Sequence, residues 1–121
     1  MATIPDRSSL LDDEKLLEEC DNEQSFANKC LHVFVRVAQA DMSDISAALD
    51  RNDFSQIARL AHRIKGASAS IRAEFLREQA ARLEVLGSQE KSVAVSECYA
   101  RLKAEFEHFE KFVATLPNIP D

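Results

Sequence analysis

Residues 23–51 read EQSFANKCLHVFVRVAQADMSDISAALDR, a stretch that neither glycine nor proline interrupts. Apolar side chains recur in it every three or four residues, the spacing that gathers side chains onto one face of a helix. The stretch therefore predicts one long amphipathic helix, for which Asp21 or Asn22 is available as the N-cap. The predicted inward face comprises Phe26, Cys30, Phe34, Val37, Ala38, Ile45 and Leu49.

Shorter helices are predicted on either side of this one. Before it, acidic residues at the positive end of a helix dipole favour a helix over about 12–20, with Leu16 and Leu17 turned inward. After it, Asp53 is a good N-cap and begins the third helix. The buried stripe predicted for that helix comprises Ile57, Leu60, Ala61, Ile64, Ser68 and Ile71.

Two more helices complete the chain. The fourth is predicted over about 74–86, and Gly87 follows it where a left-handed C-terminal residue is wanted. Its inward residues are Leu76, Ala80, Leu83 and Leu86. Ser88 or a neighbour begins the fifth helix, which Pro117 ends. Its predicted inward residues are Val95, Tyr99, Leu102, Phe106, Phe109 and Val113, and Phe112 is assigned neither to the core nor to the surface.

This pattern predicts an all-α protein. The four longer helices can share one core as an up-and-down four-helix bundle, with the short first helix as an addition. The chain has 121 residues, of which 45% are hydrophobic, and two Gly with three Pro disfavour a turn-rich β fold. We expect one domain over 11–117, with a flexible lead-in over 1–10 and a short tail over 118–121. The start at Met1 favours a free-standing protein over a segment of a larger protein.

Composition also excludes several classes of function. Gly66 and Gly87 are the only glycines and cannot form a phosphate-binding loop, which excludes a nucleotide-dependent kinase. A net charge of -6 argues against binding to nucleic acid or to a membrane surface. Cys20, Cys30 and Cys98 form an odd set without a CxxC pair. Reduced thiols and the lack of an apolar run of membrane-spanning length favour a cytoplasmic location.

Among the three histidines, His62 is the one whose neighbouring residues indicate a function. It lies in the segment 58–69, ARLAHRIKGASA, and the helical advance of about 100° per residue turns it away from the buried stripe. Gly66, one turn later, weakens a helix by roughly 0.5 to 1 kcal/mol relative to Ala and leaves bare backbone. Something must therefore approach this face closely. The predicted docking surface comprises Ala58, Arg59, Arg63, Gly66 and Ala69.

The residue types on this face suit the acceptance of a phosphoryl group. Arg59 and Lys65 disfavour a second positive charge nearby, so we expect a neutral imidazole with a nucleophilic lone pair. A phosphoryl group on the ring carries close to two negative charges, which Lys65 can offset. Metal and leaving group would have to arrive with a partner, because no acidic cluster or metal cage can be read from the sequence.

The run 61–68, AHRIKGAS, resembles the signature of histidine-containing phosphotransfer (HPt) domains: His, any residue, an aliphatic residue, Lys, Gly, then small residues. The similarity extends over nearly the whole chain and implies a four-helix bundle with a shorter N-terminal helix. It implies a two-component phosphorelay carrier, without a complete catalytic site, which exchanges phosphoryl groups with the aspartyl phosphates of receiver domains.

Carried over residue by residue, the resemblance assigns three roles. His62 is the phosphorylated nucleophile, Lys65 stabilises the phosphate, and Gly66 permits the approach of the receiver. Ser68 fills a usually small position. The partners implied are receiver domains of response regulators or hybrid histidine kinases, which would supply Mg²⁺, and we expect a monomer with no cofactor of its own.

The sequence departs from the family pattern at two positions. Glu84 falls where some members carry a Gln near the histidine, and its carboxylate could orient the ring but would repel bound phosphate. Arg72 follows Ile71, where the family pattern usually has Gly at the turn into the next helix. If that turn needs a positive φ, Arg72 adopts it without the freedom of glycine.

Two other classes of function stay open at this point. A non-catalytic adaptor could hold a receiver domain on the same helix face, although it has no need for a nucleophile there. A metal-binding bundle would need a second inward ligand pair beside the single Glu-x-x-His at 105–108. For His32, flanked by Lys29 and Arg36, we expect a partly exposed residue without a task, and His108 has no special setting either.

Overall fold

A computed structural model of the protein describes residues 11–118. This part of the chain forms five helices and no strand. They are α1 (Asp13–Glu19), α2 (Gln24–Asp50), α3 (Phe54–Ser70), α4 (Glu74–Ser88) and α5 (Ser92–Ala114). Short turns join α2 to α5 in sequence, each of these helices packs against the next, and α5 closes onto α2. The predicted four-helix bundle with a short additional helix is confirmed.

The core lies along the axis of the bundle. The stripe predicted for α3 is buried throughout, from Ile57 to Ile71. Phe106 and Phe109 of α5 point inward as predicted and meet Phe34 of α2 edge to face, with ring centroids 6.3 and 5.5 Å apart. Phe112 is half-buried against Phe109. Within residues 11–118, none of the helices is long and apolar enough to cross a bilayer.

The predicted inward face of α2 is partly wrong. Phe26 and Val37 are 51% and 48% exposed, while Cys30 and Leu49 are half-buried. The apolar residues of α2 form two adjacent rows, and the core buries only one of them; alanines occur outside that row too, since Ala40 and Ala47 are exposed. The buried apolar residues of α2 are Ala27, Leu31, Phe34, Ala38, Met42, Ile45 and Ala48.

Three smaller departures concern helix ends and partly covered leucines. Asp21 and Asn22 do not cap α2: both have positive φ, 54° and 60°, and Glu23 is the N-cap residue without a side-chain hydrogen bond. Asp53 caps α3 as predicted and accepts from Gln56 N at 3.1 Å. Leu17 and Leu86, predicted to be inward, are half-buried.

Gly87 does not end its helix. It is buried within α4, and the positive φ of this turn falls on Glu90 instead, at 53°. A Cβ placed on Gly87 would lie 3.3 Å from Ala58 N and 3.4 Å from Ala58 Cβ. The glycine therefore serves close packing of α4 on α3, and α5 begins later than predicted, at Ser92.

The turn from α3 to α4 does require a positive φ, and Arg72 adopts it at 64°. Two contacts hold the residue in place. Its carbonyl oxygen accepts from Asp12 N at 3.0 Å, and its guanidinium pairs with Glu19 of α1. This ion pair lowers the pKa of Glu19. The strained turn is thus one of the points where α1 is attached to the bundle, and the buried Leu16 is another. The predicted lead-in over 1–10 and residues 119–121 lie outside the described residues.

Candidate functional site

His62 stands on the outer face of α3. Its side chain is 65% exposed, whereas the preceding Ala61 and the following Ile64 are 0% and 2% exposed. This difference in exposure follows from the helical repeat, because the buried stripe and the imidazole lie on opposite sides of α3. The ring is therefore fixed on a rigid element and open to solvent, as the sequence predicted.

Glu84 of α4 connects the two polar side chains that the sequence singled out on α3. Its Oε2 lies 2.9 Å from His62 Nδ1, and its Oε1 accepts from Lys65 Nζ at 2.7 Å. The contact depends on the close approach of α4 to α3 at Gly87 and Ala58. The three side chains form one hydrogen-bonded set, which we call the His62–Glu84–Lys65 set.

The charge of Glu84 decides which nitrogen of a neutral His62 ring carries the proton. The hydrogen bond from Lys65 lowers the pKa of Glu84, burial opposes this shift, and the contact with His62 adds to it. An ionised carboxylate can only accept hydrogen bonds. Nδ1 of His62 is therefore the donor, and in a neutral ring Nε2 carries the lone pair.

Gly66 lies on the same face as His62, one turn further along α3. It is exposed, and a Cβ added to it would meet nothing within 4 Å. Nothing within residues 11–118 therefore requires glycine at this position. The bare backbone is available to a partner surface, in contrast to Gly87, which the packing of two helices accounts for.

The other residues of the predicted docking surface have contacts within the protein. Ala58 is half-buried and adjoins Gly87, and Ala69 is also half-buried. Arg59 donates to Gln56 Oε1 from Nε and Nη2, at 3.0 and 2.7 Å. Arg63 pairs with Asp41 of α2 at 3.3 Å.

Asp41 is a residue that the sequence reasoning missed. Its side chain is 8% exposed, and Arg63 balances its charge across the α2–α3 contact. The available signal was its place between Ala38 and Met42, which are inward apolar residues of α2. Part of the positive charge beside His62 is thus already compensated.

The remaining histidines have different settings. The Nε2 atom of His32 lies 3.0 Å from the carbonyl oxygen of Leu116, which ties α2 to the end of the chain after α5. His108 is exposed on α5. Within residues 11–118, no three His, Cys, Asp or Glu side chains are grouped so that they could hold a metal ion.

Comparison with models of protein families matches the Hpt domain over residues 29–112. The chain belongs to the Hpt domain family. The Hpt match includes all of α3 and α4, and therefore the whole His62–Glu84–Lys65 set. It confirms the resemblance stated from the sequence and gives the protein a role in histidine phosphotransfer in two-component phosphorelays. Proteins of this family are phosphorelay carriers that interact with receiver domains.

Solved structures share the fold of this Hpt domain. Histidine-containing phosphotransfer protein B (HptB) from Pseudomonas aeruginosa PAO1 aligns with a TM-score of 0.76 and 21% identity, over 88% of this chain and 96% of that chain. The phosphotransfer protein ZmHP2 from maize gives 0.73 and 22%, over 88% and 85%. A search of curated protein sequences gave no significant match.

Proposed function

We propose that His62 accepts a phosphoryl group from the aspartyl phosphate of one receiver domain and passes it to another. The observation that carries the proposal is the setting of the ring. The imidazole is exposed, and its Nδ1 is engaged by Glu84 at 2.9 Å. Nε2 is consequently the nitrogen left to act as the nucleophile.

The transfer needs no nucleotide and no further reactant. The Nε2 lone pair of His62 attacks phosphorus, the P–O bond to the receiver aspartate breaks, and the carboxylate leaves with the electron pair. Lys65 then offsets the charge of the phosphoryl group. Its ammonium has three N–H donors, and the hydrogen bond to Glu84 uses one of them.

The rest of the reaction site would come from the partner. We propose that the receiver domain brings its acidic residues and Mg²⁺, and that this protein acts as a monomeric, cytoplasmic carrier and not as an enzyme in its own right. Gly66 would lie under the closest approach of the receiver, with Arg59, Arg63, Ala58 and Ala69 around it. The open space above Gly66 supports this arrangement.

Label transfer from a phosphorylated receiver tests the proposal. The protein is mixed with a receiver carrying a radioactive phosphoryl group, and wild type is compared with His62→Gln. The matched control is His108→Gln, which removes an exposed histidine from α5. Label in the wild type and in the control, but not in the folded His62→Gln variant, is the expected result.

The adaptor alternative predicts a different outcome of the same experiment. A protein that holds a receiver without phosphoryl chemistry would bind it equally well as wild type and as His62→Gln, and neither would take up label. Circular dichroism of each variant shows that the helices are intact. Label on both proteins would place the acceptor at a residue other than His62.

Lys65 is tested by its removal. We expect Lys65→Ala to slow transfer about tenfold or more, because it removes a charge-assisted hydrogen bond that would stabilise the negatively charged phosphoryl group during its transfer to His62. Single-turnover rates with a fixed receiver measure the effect. The control is Lys103→Ala, which removes an exposed lysine from α5. Equal transfer rates for the two variants would show that Lys65 takes no part in the transfer.

A further inference from the structure

We infer that Glu84 is a positioning residue that keeps a proton on Nδ1 of His62 both before and after phosphorylation, so that the phosphoryl group is held in a form that leaves readily in either direction. This inference rests on the proposed function of His62. Neither the fold nor the acceptor histidine requires this role by itself. Through it, Glu84 would control how long the phosphoryl group remains on His62.

The geometry places the carboxylate where it can hold this proton. Glu84 Oε2 lies 2.9 Å from Nδ1, and the other oxygen is fixed by Lys65 at 2.7 Å. The side chain of Glu84 is 26% exposed, against 65% for His62. The carboxylate is thus anchored from α4 beside Nδ1, and it does not occupy the Nε2 side, where the phosphoryl group would be attached.

The proton count shows why the neighbour matters. A neutral ring with its proton on Nδ1 uses the Nε2 lone pair to form the N–P bond, and the product is a phosphoimidazolium with one positive charge. Glu84 carries one negative charge and lies against Nδ1–H, so the charge of the ring is balanced where it forms. No proton has to leave the ring on phosphorylation.

The reverse step depends on the same proton. When the N–P bond breaks towards a receiver aspartate, the electron pair returns to Nε2 and the proton on Nδ1 makes the leaving group a neutral imidazole. A phosphoimidazole that had lost the Nδ1 proton would have to leave as an imidazolate anion, which is a much poorer leaving group. A carboxylate beside Nδ1 opposes that loss, because an opposite charge nearby favours the protonated form.

The charged side chains near His62 in the sequence of α3 are Arg59, Arg63 and Lys65, and each has a partner. From α2, Asp41 is paired with Arg63 at 3.3 Å. On α3 itself, Arg59 is bonded to Gln56, and Lys65 is bonded to Glu84. The two arginines therefore have partners other than the ring, Lys65 acts on the ring only through Glu84, and Glu84 is the charged side chain in contact with Nδ1.

The test follows the departure of the phosphoryl group as a function of pH. Wild type and Glu84→Gln are labelled on His62, and transfer back to one unphosphorylated receiver is timed from about pH 6.5 to 9, a range that begins at the ordinary pKa of a histidine side chain. The ratio of the two rates at each pH removes the pH dependence of the receiver itself. Glu78→Gln, an exposed glutamate of α4, is the control.

We expect the wild-type and Glu78→Gln rates to change together across this range. The Glu84→Gln rate should fall relative to them by about tenfold or more towards the alkaline end, since a neutral amide can also donate to a deprotonated Nδ1 and so favours the inert form. A ratio of Glu84→Gln to wild type that is constant with pH would overturn the inference. A change in folding alone would lower the rate at every pH and not alter its pH profile.

A spectroscopic measurement on the unmutated protein keeps the two hypotheses separate. Nitrogen NMR of ring-labelled, phosphorylated wild type should show Nδ1 still bearing its proton near pH 8. A deprotonated Nδ1 in that spectrum would refute the role of Glu84 while leaving phosphorylation of His62 intact. Failure of the wild type to accept label at all would instead refute the proposed function.

Discussion

Gly66 shows at the scale of one residue how stability and function are separated in this protein. Because a Cβ at this position would meet nothing within 4 Å, Gly66→Ala should gain roughly 0.5 to 1 kcal/mol of helix stability. We expect a melting temperature higher by about 3 °C, measured by circular dichroism. The same methyl group would obstruct the receiver, and transfer should slow several-fold.

The other glycine provides the control for this substitution. Gly87→Ala has the same intrinsic helix preference, but its Cβ would lie 3.3 Å from the backbone nitrogen of Ala58. We expect it to lower the melting temperature, since overpacking between two helix backbones outweighs the gain in propensity. If both substitutions raised the melting temperature, the packing role assigned to Gly87 would be wrong. If Gly66→Ala left the rate of transfer unchanged, Gly66 would not belong to the docking surface.

The reacting side chains differ in how far the sequence could predict them. His62 and Lys65 lie within one turn of helix of each other, so their shared face follows from the helical repeat. The contact of Glu84 with both depends on the register of α4 against α3, which local spacing does not determine. The same holds for Asp41 and Arg63, which meet across two helices.

At the scale of elements, the turn between α3 and α4 combines strain with an attachment. Arg72 has a φ of 64° and an ion pair with Glu19. Arg72→Ala loses the pair and keeps the unfavourable φ, whereas Arg72→Gly loses the pair and relieves it. We expect the glycine variant to melt about 4 °C above the alanine variant, and a higher value for alanine would contradict strain at this turn.

The helices themselves were predictable because their apolar periodicity is long and uninterrupted. The prediction was weaker where two apolar rows lie side by side, as in α2, since Phe26 and Val37 satisfy the same spacing as the buried residues. It was wrong at the end of α4, where Gly87 suits a left-handed position by its conformational freedom, but Glu90 occupies that position. Packing between elements decides such cases, and a single sequence does not display it.

At the scale of the whole molecule, the net charge of -6 conceals a basic region around the site. Arg59 is bonded to a neutral glutamine, whereas Arg63 is paired with Asp41. Arg59→Gln should therefore slow association with an acidic receiver surface two- to threefold, which corresponds to about 0.5 kcal/mol in the activation free energy of association. The association rate of the variant should also depend less on salt concentration. Association rates measured at several ionic strengths provide the check.

Arg63→Gln serves as the comparison for that experiment. It should alter the salt dependence less, because Asp41 already compensates Arg63, and it should lower the free energy of unfolding by about 1 to 2 kcal/mol by leaving a nearly buried carboxylate without its partner. Urea unfolding measures the second effect. Equal salt dependence in wild type and both variants would mean that neither arginine steers the encounter.

The number and order of helices followed from the sequence because the connecting turns are short and each helix must bury one apolar face. The closure of α5 onto α2 is a non-local contact, and the edge-to-face group of Phe34, Phe106 and Phe109 that secures it was predicted only as three separate inward residues. Pairing of distant rings requires the three-dimensional arrangement.

The tight contact between α3 and α4 at Ala58 and Gly87 also bears on how such a protein can diversify. Every side chain of the His62–Glu84–Lys65 set belongs to one helical hairpin, residues 54–88, while α2 and α5 cover its other sides. After gene duplication, substitutions on the outer surfaces of α2 and α5 can therefore accumulate in each copy without altering the reacting side chains.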